Sequence, residues 1–183
     1  MVKLNIRRWG TAAIALALAV GAVNAGSSAC WAQGPAAGKA EDWKGPADAT
    51  RFNLGVIQGV GIIDTIGGYA FVGTASAKIL DRGFAPDLNN SVHAEIQIGP
   101  FFASGVSAWI FGSHLRWDFV KDDHWTFYAL GGVGGNNLTI ANVSRTALYP
   151  RFGAGAIYGI HEKFSVRAEL SHELTAVGVM FYL

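Results

Sequence analysis

Phe164-Ser165-Val166-Arg167-Ala168-Glu169-Leu170-Ser171 alternates without a break. Phe164, Val166, Ala168 and Leu170 form one set, and Ser165, Arg167, Glu169 and Ser171 form the other. Successive side chains of an extended strand point to opposite faces, so this period of two predicts a strand with one apolar and one charged face. The tripeptide His161-Glu162-Lys163 precedes it, short and polar as a hairpin turn should be. On the far side of that turn, Phe152, Ala154, Ala156, Tyr158 and Ile160 alternate with Arg151, Gly153, Gly155, Ile157 and Gly159.

The same pattern extends towards the N-terminus. Trp109, Phe111, Ser113, Leu115, Trp117 and Phe119 alternate with Ile110, Gly112, His114, Arg116 and Asp118. Ala94, Ile96 and Ile98 alternate with His93, Glu95 and Gln97. Strands are predicted near Phe52–Ile63, Gly67–Lys78, Val92–Phe102, Ala108–Val120, Trp125–Leu138, Ala147–Ile160, Phe164–Ser171 and Thr175–Leu183. The first two are diluted by Gly55, Gly59, Gly61, Gly67 and Gly68, which leaves their register open. No amphipathic helix and no long repeat interrupts the series. The fold class is all-β, an antiparallel barrel of about eight strands over residues 51–183.

Residues 1–25 carry the pattern of a cleavable signal peptide. Lys3, Arg7 and Arg8 precede an uncharged apolar run from Thr11 to Val23, and small residues follow. That run is short for a bilayer-spanning helix. Cleavage is placed after Ala25, with Ala32 as the alternative. Residues 26–50, rich in Ala, Gly and Pro, read as a flexible leader. Cys30 is the single cysteine, so no internal disulfide forms. Ser27 stands where a lipoprotein signal usually carries Leu, which argues against lipidation of Cys30.

The chain has 14 Lys+Arg and 13 Asp+Glu; removing residues 1–25 takes three bases and no acid, leaving 11 against 13 and a net charge of −2. That excludes a basic footprint for nucleic acid. Hydrophobic residues make up 51% of the chain and charged ones 15%. Past residue 25 no apolar run is long enough for a membrane helix. Apolar residues spread over alternating strands are how a membrane barrel carries its hydrophobicity.

Period two alone does not say which face is inside. Two features place the apolar face outward, towards outer-membrane lipid. Trp109 sits near one end of its strand, and Trp117 and Phe119 near the other, with Trp125 and Phe127 across the Lys121-Asp122-Asp123 turn. Two separated aromatic bands form an interfacial girdle. The polar faces gather His93, Glu95, Gln97, His114, Arg116, Asp118, Arg151, Arg167 and Glu169. Facing inward these pair across a narrow lumen; an Arg or Lys facing lipid costs about 2–4 kcal/mol at mid-depth.

The closing strand resembles the C-terminal signature that outer-membrane barrels present to the barrel-assembly machinery. Val177, Val179, Phe181 and Leu183 share one face, with Leu at the position where Phe is usual. Trp125-Thr-Phe-Tyr-Ala-Leu-Gly-Gly-Val-Gly-Gly135, the hairpin around His161 and the closing Val177-Gly-Val-Met-Phe-Tyr-Leu183 together resemble OmpA-like and opacity-type porin-family barrels. The resemblance covers about Trp125 to Leu183 well and the earlier strands loosely. It implies a small closed barrel with a role in envelope integrity, adhesion or surface exposure. A periplasmic C-terminus then puts the Lys121 and His161 turns on the periplasmic side. Outer loops fall near Asp64–Ile66, Ala103–Ser107, Thr139–Thr146 and His172–Leu174, and the long Ile79–Ser91 connection falls on the periplasmic side.

For the nine lumen residues the structural reading is an ion-pair and hydrogen-bond ladder, because an eight-stranded interior holds little more than side chains. A narrow ion path and a metal site at His93 and His114 are the sharper readings, and no close-spaced ligand motif supports the second. No cofactor is expected. Ser171, His172 and Glu173 suggest a lipid-modifying hydrolase, but adjacent residues on a strand point to opposite faces. Gly131, Gly132, Gly134 and Gly135 lack the Lys and the helix of a phosphate loop. The leading expectation is a non-enzymatic outer-membrane barrel. An outer-membrane enzyme acting on lipid and a soluble periplasmic ligand-binding barrel are the alternatives.

Overall fold

The structure, a computed structural model, describes Trp43, residues 50–140 and residues 143–183. The proposed signal peptide, both cleavage sites and Cys30 lie outside the described residues.

The described chain forms eight strands: β1 (Phe52–Ile63), β2 (Ile66–Leu80), β3 (Asn90–Ala103), β4 (Val106–Val120), β5 (Trp125–Ile140), β6 (Val143–His161), β7 (Phe164–Ser171) and β8 (Leu174–Tyr182). Each pairs antiparallel with the next, and β8 returns to pair with β1, which closes the barrel. Closure pairs most of the edge that an open sheet would leave free. The first two strands keep a continuous register from Phe52↔Ala77 to Ile63↔Ile66 despite their glycines.

The connections at the β1–β2 end are tight. Asp64 and Thr65 both have positive φ, 49° and 72°, the conformation of a two-residue hairpin turn whose twist matches its strands. Gly105, at φ 72°, serves the β3–β4 turn. At the opposite end, backbone N–H groups of His124 and Trp125 donate to Asp122 Oδ1 at 2.9 and 2.8 Å. These bonds, the His124 one first, hold the Asp122 carboxyl below its ordinary value. The turn is therefore firmest above the ordinary carboxylate range and loosens as acid protonates Asp122.

The long β2–β3 connection is folded. Asn90 Nδ2 donates to the carbonyls of Ala85 and Leu88 at 2.6 and 2.7 Å, and Trp117 Nε1 donates to Asn90 Oδ1 at 2.8 Å. Phe84 packs edge-on to Trp117 with centroids 5.5 Å apart. In the leader, Trp43 N–H donates to Lys121 O at 2.9 Å, Trp43 O accepts from Asn89 N–H at 2.7 Å, and its ring lies 6.0 Å from that of Phe127.

Two strands depart from the sequence reading. β6 begins at Val143 rather than Ala147, and β5 runs to Ile140, because side-chain bonds continue the ladder past its apolar part. Asn137 Nδ2 donates to Thr146 Oγ1, and the Thr139 and Ser144 hydroxyls share a bond, each 2.9 Å long. By contrast β7 and β8 are short. β7 first meets β6 at Gly153↔Ser171, so Val143–Phe152 has no β7 partner. Pro150 stands in that unpaired stretch, where its missing N–H costs the ladder nothing.

Alternation decides burial throughout. Ile96, Ile98, Leu115, Phe152, Leu170, Val177, Val179 and Phe181 are exposed on the outside, while Glu95, Gln97, His114, Arg151, Arg167 and Glu169 are buried within. The interior also contains an apolar layer. Ile57, Ile63, Val72, Phe101, Ile110, Leu138 and Leu174 pack together at the β1–β2 turn end. A lumen filled by polar side chains alone is thus too simple, because this layer and a second buried cluster of Tyr128, Leu130, Ile157 and Met180 share the interior with the charged groups.

Candidate functional site: the charged lumen and its two ends

The inward i, i+2 positions of β3, β4 and β7 aim pairs of charged residues at one level of the lumen. Arg116 grips Asp118 with two parallel bonds, Nε to Oδ1 at 2.8 Å and Nη2 to Oδ2 at 2.9 Å. Its Nη1 also donates to Glu95 Oε2. Arg167 donates to both oxygens of Glu95 at 2.9 and 2.8 Å and to Glu169 Oε2 at 2.6 Å. Arg151 Nη2 donates to Glu169 Oε1 at 2.9 Å and to Gln97 Oε1 at 2.7 Å. Gln97 Nε2 returns bonds to Glu95 and Glu169 at 2.9 and 3.1 Å. His114 Nε2 lies 3.1 Å from Glu95, and His93 Nε2 lies 3.5 Å from Asp118.

All nine residues named from the sequence are buried and share this connected network. Other members are not singled out by the sequence, Tyr128 and Glu173 among them. Tyr128 accepts from Arg167 Nε at 2.9 Å and donates to the Ala168 carbonyl at 3.1 Å, with the Arg167 guanidinium 4.8 Å from its ring centroid. Its inward position on β5, between Thr126 and Leu130, was the available signal. Glu173, in the β7–β8 turn, reaches Arg151 Nη1 at 3.3 Å. Nothing in the periodicity singles it out, because turns have none.

Glycines clear the space. A Cβ on Gly112 would lie 2.6 Å from Arg151 Nη1, and one on Gly155 would lie 2.3 Å from the Tyr128 hydroxyl. These two positions are where the long inward side chains cross.

A cavity of about 270 Å³ opens below the network, lined by Asn53, Ser91, His93, Asp118 and Tyr182 among others. Another of about 290 Å³ lies above it, between the end of β1 and the unpaired part of β6. Among the described residues, no group of three His, Cys, Asp or Glu is placed to hold a metal ion. Ser171 and His172 are not brought together as nucleophile and base. Ser171 Oγ donates to the Leu174 carbonyl at 3.2 Å, and the His172 ring stacks on Phe152 at 5.2 Å.

On the outer wall, Trp109, Trp125 and Phe127 are exposed and Trp117 and Phe119 are half-buried. The eight residue steps from Trp109 to Trp117 rise about 27 Å along the strand and, at a tilt of about 40°, about 20 Å along the barrel axis. That approaches the roughly 25 Å apolar band of a transmembrane barrel. Val177, Val179, Phe181 and Leu183 all face outward on or just past β8.

No family model matches the chain, and no curated protein matches it by sequence. Solved structures do. The N-terminal β-barrel domain of Pseudomonas aeruginosa OprF is similar at a TM-score of 0.57 and 16% identity, over 73% of this chain and 98% of that one. Ail, the attachment invasion locus protein of Yersinia pestis, is similar at a TM-score of 0.52 and 14% identity, over 73% and 97%. Ail in complex with the heparin analogue sucrose octasulfate is similar at 0.51 and 13%, over the same shares. What these structures share with the chain is architecture: it is a closed, antiparallel, eight-stranded β-barrel.

Proposed function

We propose that this protein resides in the bacterial outer membrane as a non-enzymatic barrel with a structural or surface-interaction role. The observation that carries the reading is the inversion of the usual order: charge is buried in the barrel and large apolar side chains cover its outside. In water such a surface invites aggregation. In lipid it is the stable arrangement. The girdle residues Trp109, Trp117, Phe119, Trp125 and Phe127 would then mark the two interfaces. Val177, Val179, Phe181 and Leu183 would present the closing strand to the assembly machinery, after export through the periplasm.

The ion-pair network makes the barrel stiff rather than conductive, with an apolar layer across one end. The other connections at that end are tight turns, so the surface offered outside is mainly the tip of the β5–β6 hairpin, whose outward side chains are Asn137, Thr139, Ser144 and Thr146. Arg145 is exposed on this tip. Trypsin added to intact cells is therefore expected to cut at Arg145 and leave the rest of the barrel whole. Protection of Arg145 in intact cells, with cleavage only after the outer membrane is opened, would reverse the orientation and remove the surface role.

A further inference from the structure

We propose that the upper end of the charged network is a binding site for a primary ammonium group carried on a short aliphatic stem. Seven buried side chains alternate in sign from Asp118 through Arg116, Glu95, Arg167, Glu169 and Arg151 to Glu173. Four are acids and three are guanidiniums, so the permanently charged groups leave one negative charge in excess, with the imidazoles of His93, His114 and His172 beside Asp118, Glu95 and Glu173. Glu95 and Glu169 each meet two guanidiniums. Asp118, at the lower end, is gripped by both nitrogens of one arginine and has His93 beside it. Glu173, at the upper end, has one arginine contact of 3.3 Å and the His172 Nε2 at 3.8 Å, beyond hydrogen-bond distance. It is 7% exposed, and neither of its carboxylate oxygens accepts a hydrogen bond.

A buried carboxylate without donors is an expensive arrangement, so the site calls for a donor, and the charge imbalance calls for a cation. The cavity of about 290 Å³ lies directly beside Glu173. It exists because the β7–β8 hairpin stops far below the β5–β6 tip, leaving a lateral notch. The Tyr149 hydroxyl and Asn136 line the same cavity. Glu173, Tyr149 and Asn136 thus offer three oxygen acceptors, matching the three donors of an ammonium group.

The remaining wall decides between an ammonium group and a metal ion. Ile62, Ile63 and Leu138 are apolar and suit methylene groups, and Arg145 and Asp64, which also line the cavity, pair with each other at 3.6 Å. A divalent cation takes six or more oxygen ligands, usually several of them carboxylates. Here two carboxylates line the cavity, and each already has a guanidinium against it, Arg151 on Glu173 and Arg145 on Asp64. The inference concerns the interior of the barrel and does not depend on its residence in a membrane. A free amine and the amino headgroup of a lipid present the same chemistry.

The test titrates putrescine into the full-length protein, folded in non-ionic detergent, by calorimetry. Saturable binding is expected in the wild type. Glu173→Gln should weaken it at least about tenfold, since a hydrogen bond between two charged groups is replaced by one to a neutral amide. Tyr149→Phe should weaken it less. Tetramethylammonium, which donates no hydrogen bond, and magnesium should not compete. Absence of saturable binding, binding unchanged in Glu173→Gln, or equal competition by tetramethylammonium would each overturn the proposal. The competition experiments and Tyr149→Phe decide the matter even if Glu173→Gln does not fold. Displacement of bound putrescine by phosphatidylethanolamine in mixed micelles supports the site with lipid as its source; binding that this lipid leaves untouched supports it with a free amine.

Discussion

Arg167→Met is expected to abolish the compact, detergent-resistant form of the protein. Arg167 is fully buried and contacts both Glu95 and Glu169. Met replaces its volume but leaves two buried carboxylates short of a partner. Removing one member of a buried ion pair costs about 3–5 kcal/mol, because the remaining charge is stranded. Against a total stability of about 5–15 kcal/mol that is a large fraction. The Tyr128 hydroxyl loses its donor at the same time. Arg167→Lys should be milder, since a single ammonium restores the charge but cannot fork between Glu95 and Glu169 as the guanidinium does. Adding Glu95→Gln to Arg167→Met should recover part of the loss. The readout is the fraction of unboiled protein that migrates as the folded species, followed over a urea series. Equal resistance of wild type and Arg167→Met would mean that water or ions enter the lumen and replace the arginine.

Ile96→Arg separates a lipid-facing surface from a water-facing one. Ile96 is 59% exposed on the outer wall, opposite Ser113 and near the middle of the apolar belt. In water, a surface substitution of this kind changes stability by no more than about 0.5 kcal/mol. Facing lipid at mid-depth, arginine costs about 2–4 kcal/mol, falling to about 0–1 near the interfaces. Refolding into phosphatidylcholine vesicles should therefore fail or shift markedly to lower urea for Ile96→Arg. Thr139→Arg, at the hairpin tip, should be nearly silent. The contrast between the two positions is the informative quantity, because a general folding defect would not depend on depth. Two silent arginines would mean that the outer wall meets water.

Much of this architecture was legible where one face is charged and the other apolar. Phe164–Ser171 and Phe52–Ile63 match the observed strands end to end, and Glu95, Arg116, Arg167 and Glu169 converge as alternation requires. Legibility failed for physical reasons. In β1 and β2 polar and apolar residues share the inward face, with Asn53, Thr74 and Ser76 beside Ile57 and Val72, so alternation gives no sign of an apolar layer inside the lumen. The start of β6 was missed because Ser144 and Thr146 continue the ladder through polar bonds, and polar residues read as loop. Glu173 escaped because it sits in a two-residue turn; only the convergence of β6 with that turn brings it to Arg151. Tyr128 was visible as an inward position, but its partner Arg167 lies 39 residues away.

The central claim is that this barrel carries its apolar face outward into the outer membrane. The most direct test is envelope fractionation, followed by gel electrophoresis of each fraction in SDS with and without boiling. The account predicts recovery with the outer membrane and a change in apparent size on boiling, as a closed barrel unfolds. Recovery in the soluble periplasmic fraction, with no difference on boiling, would contradict it.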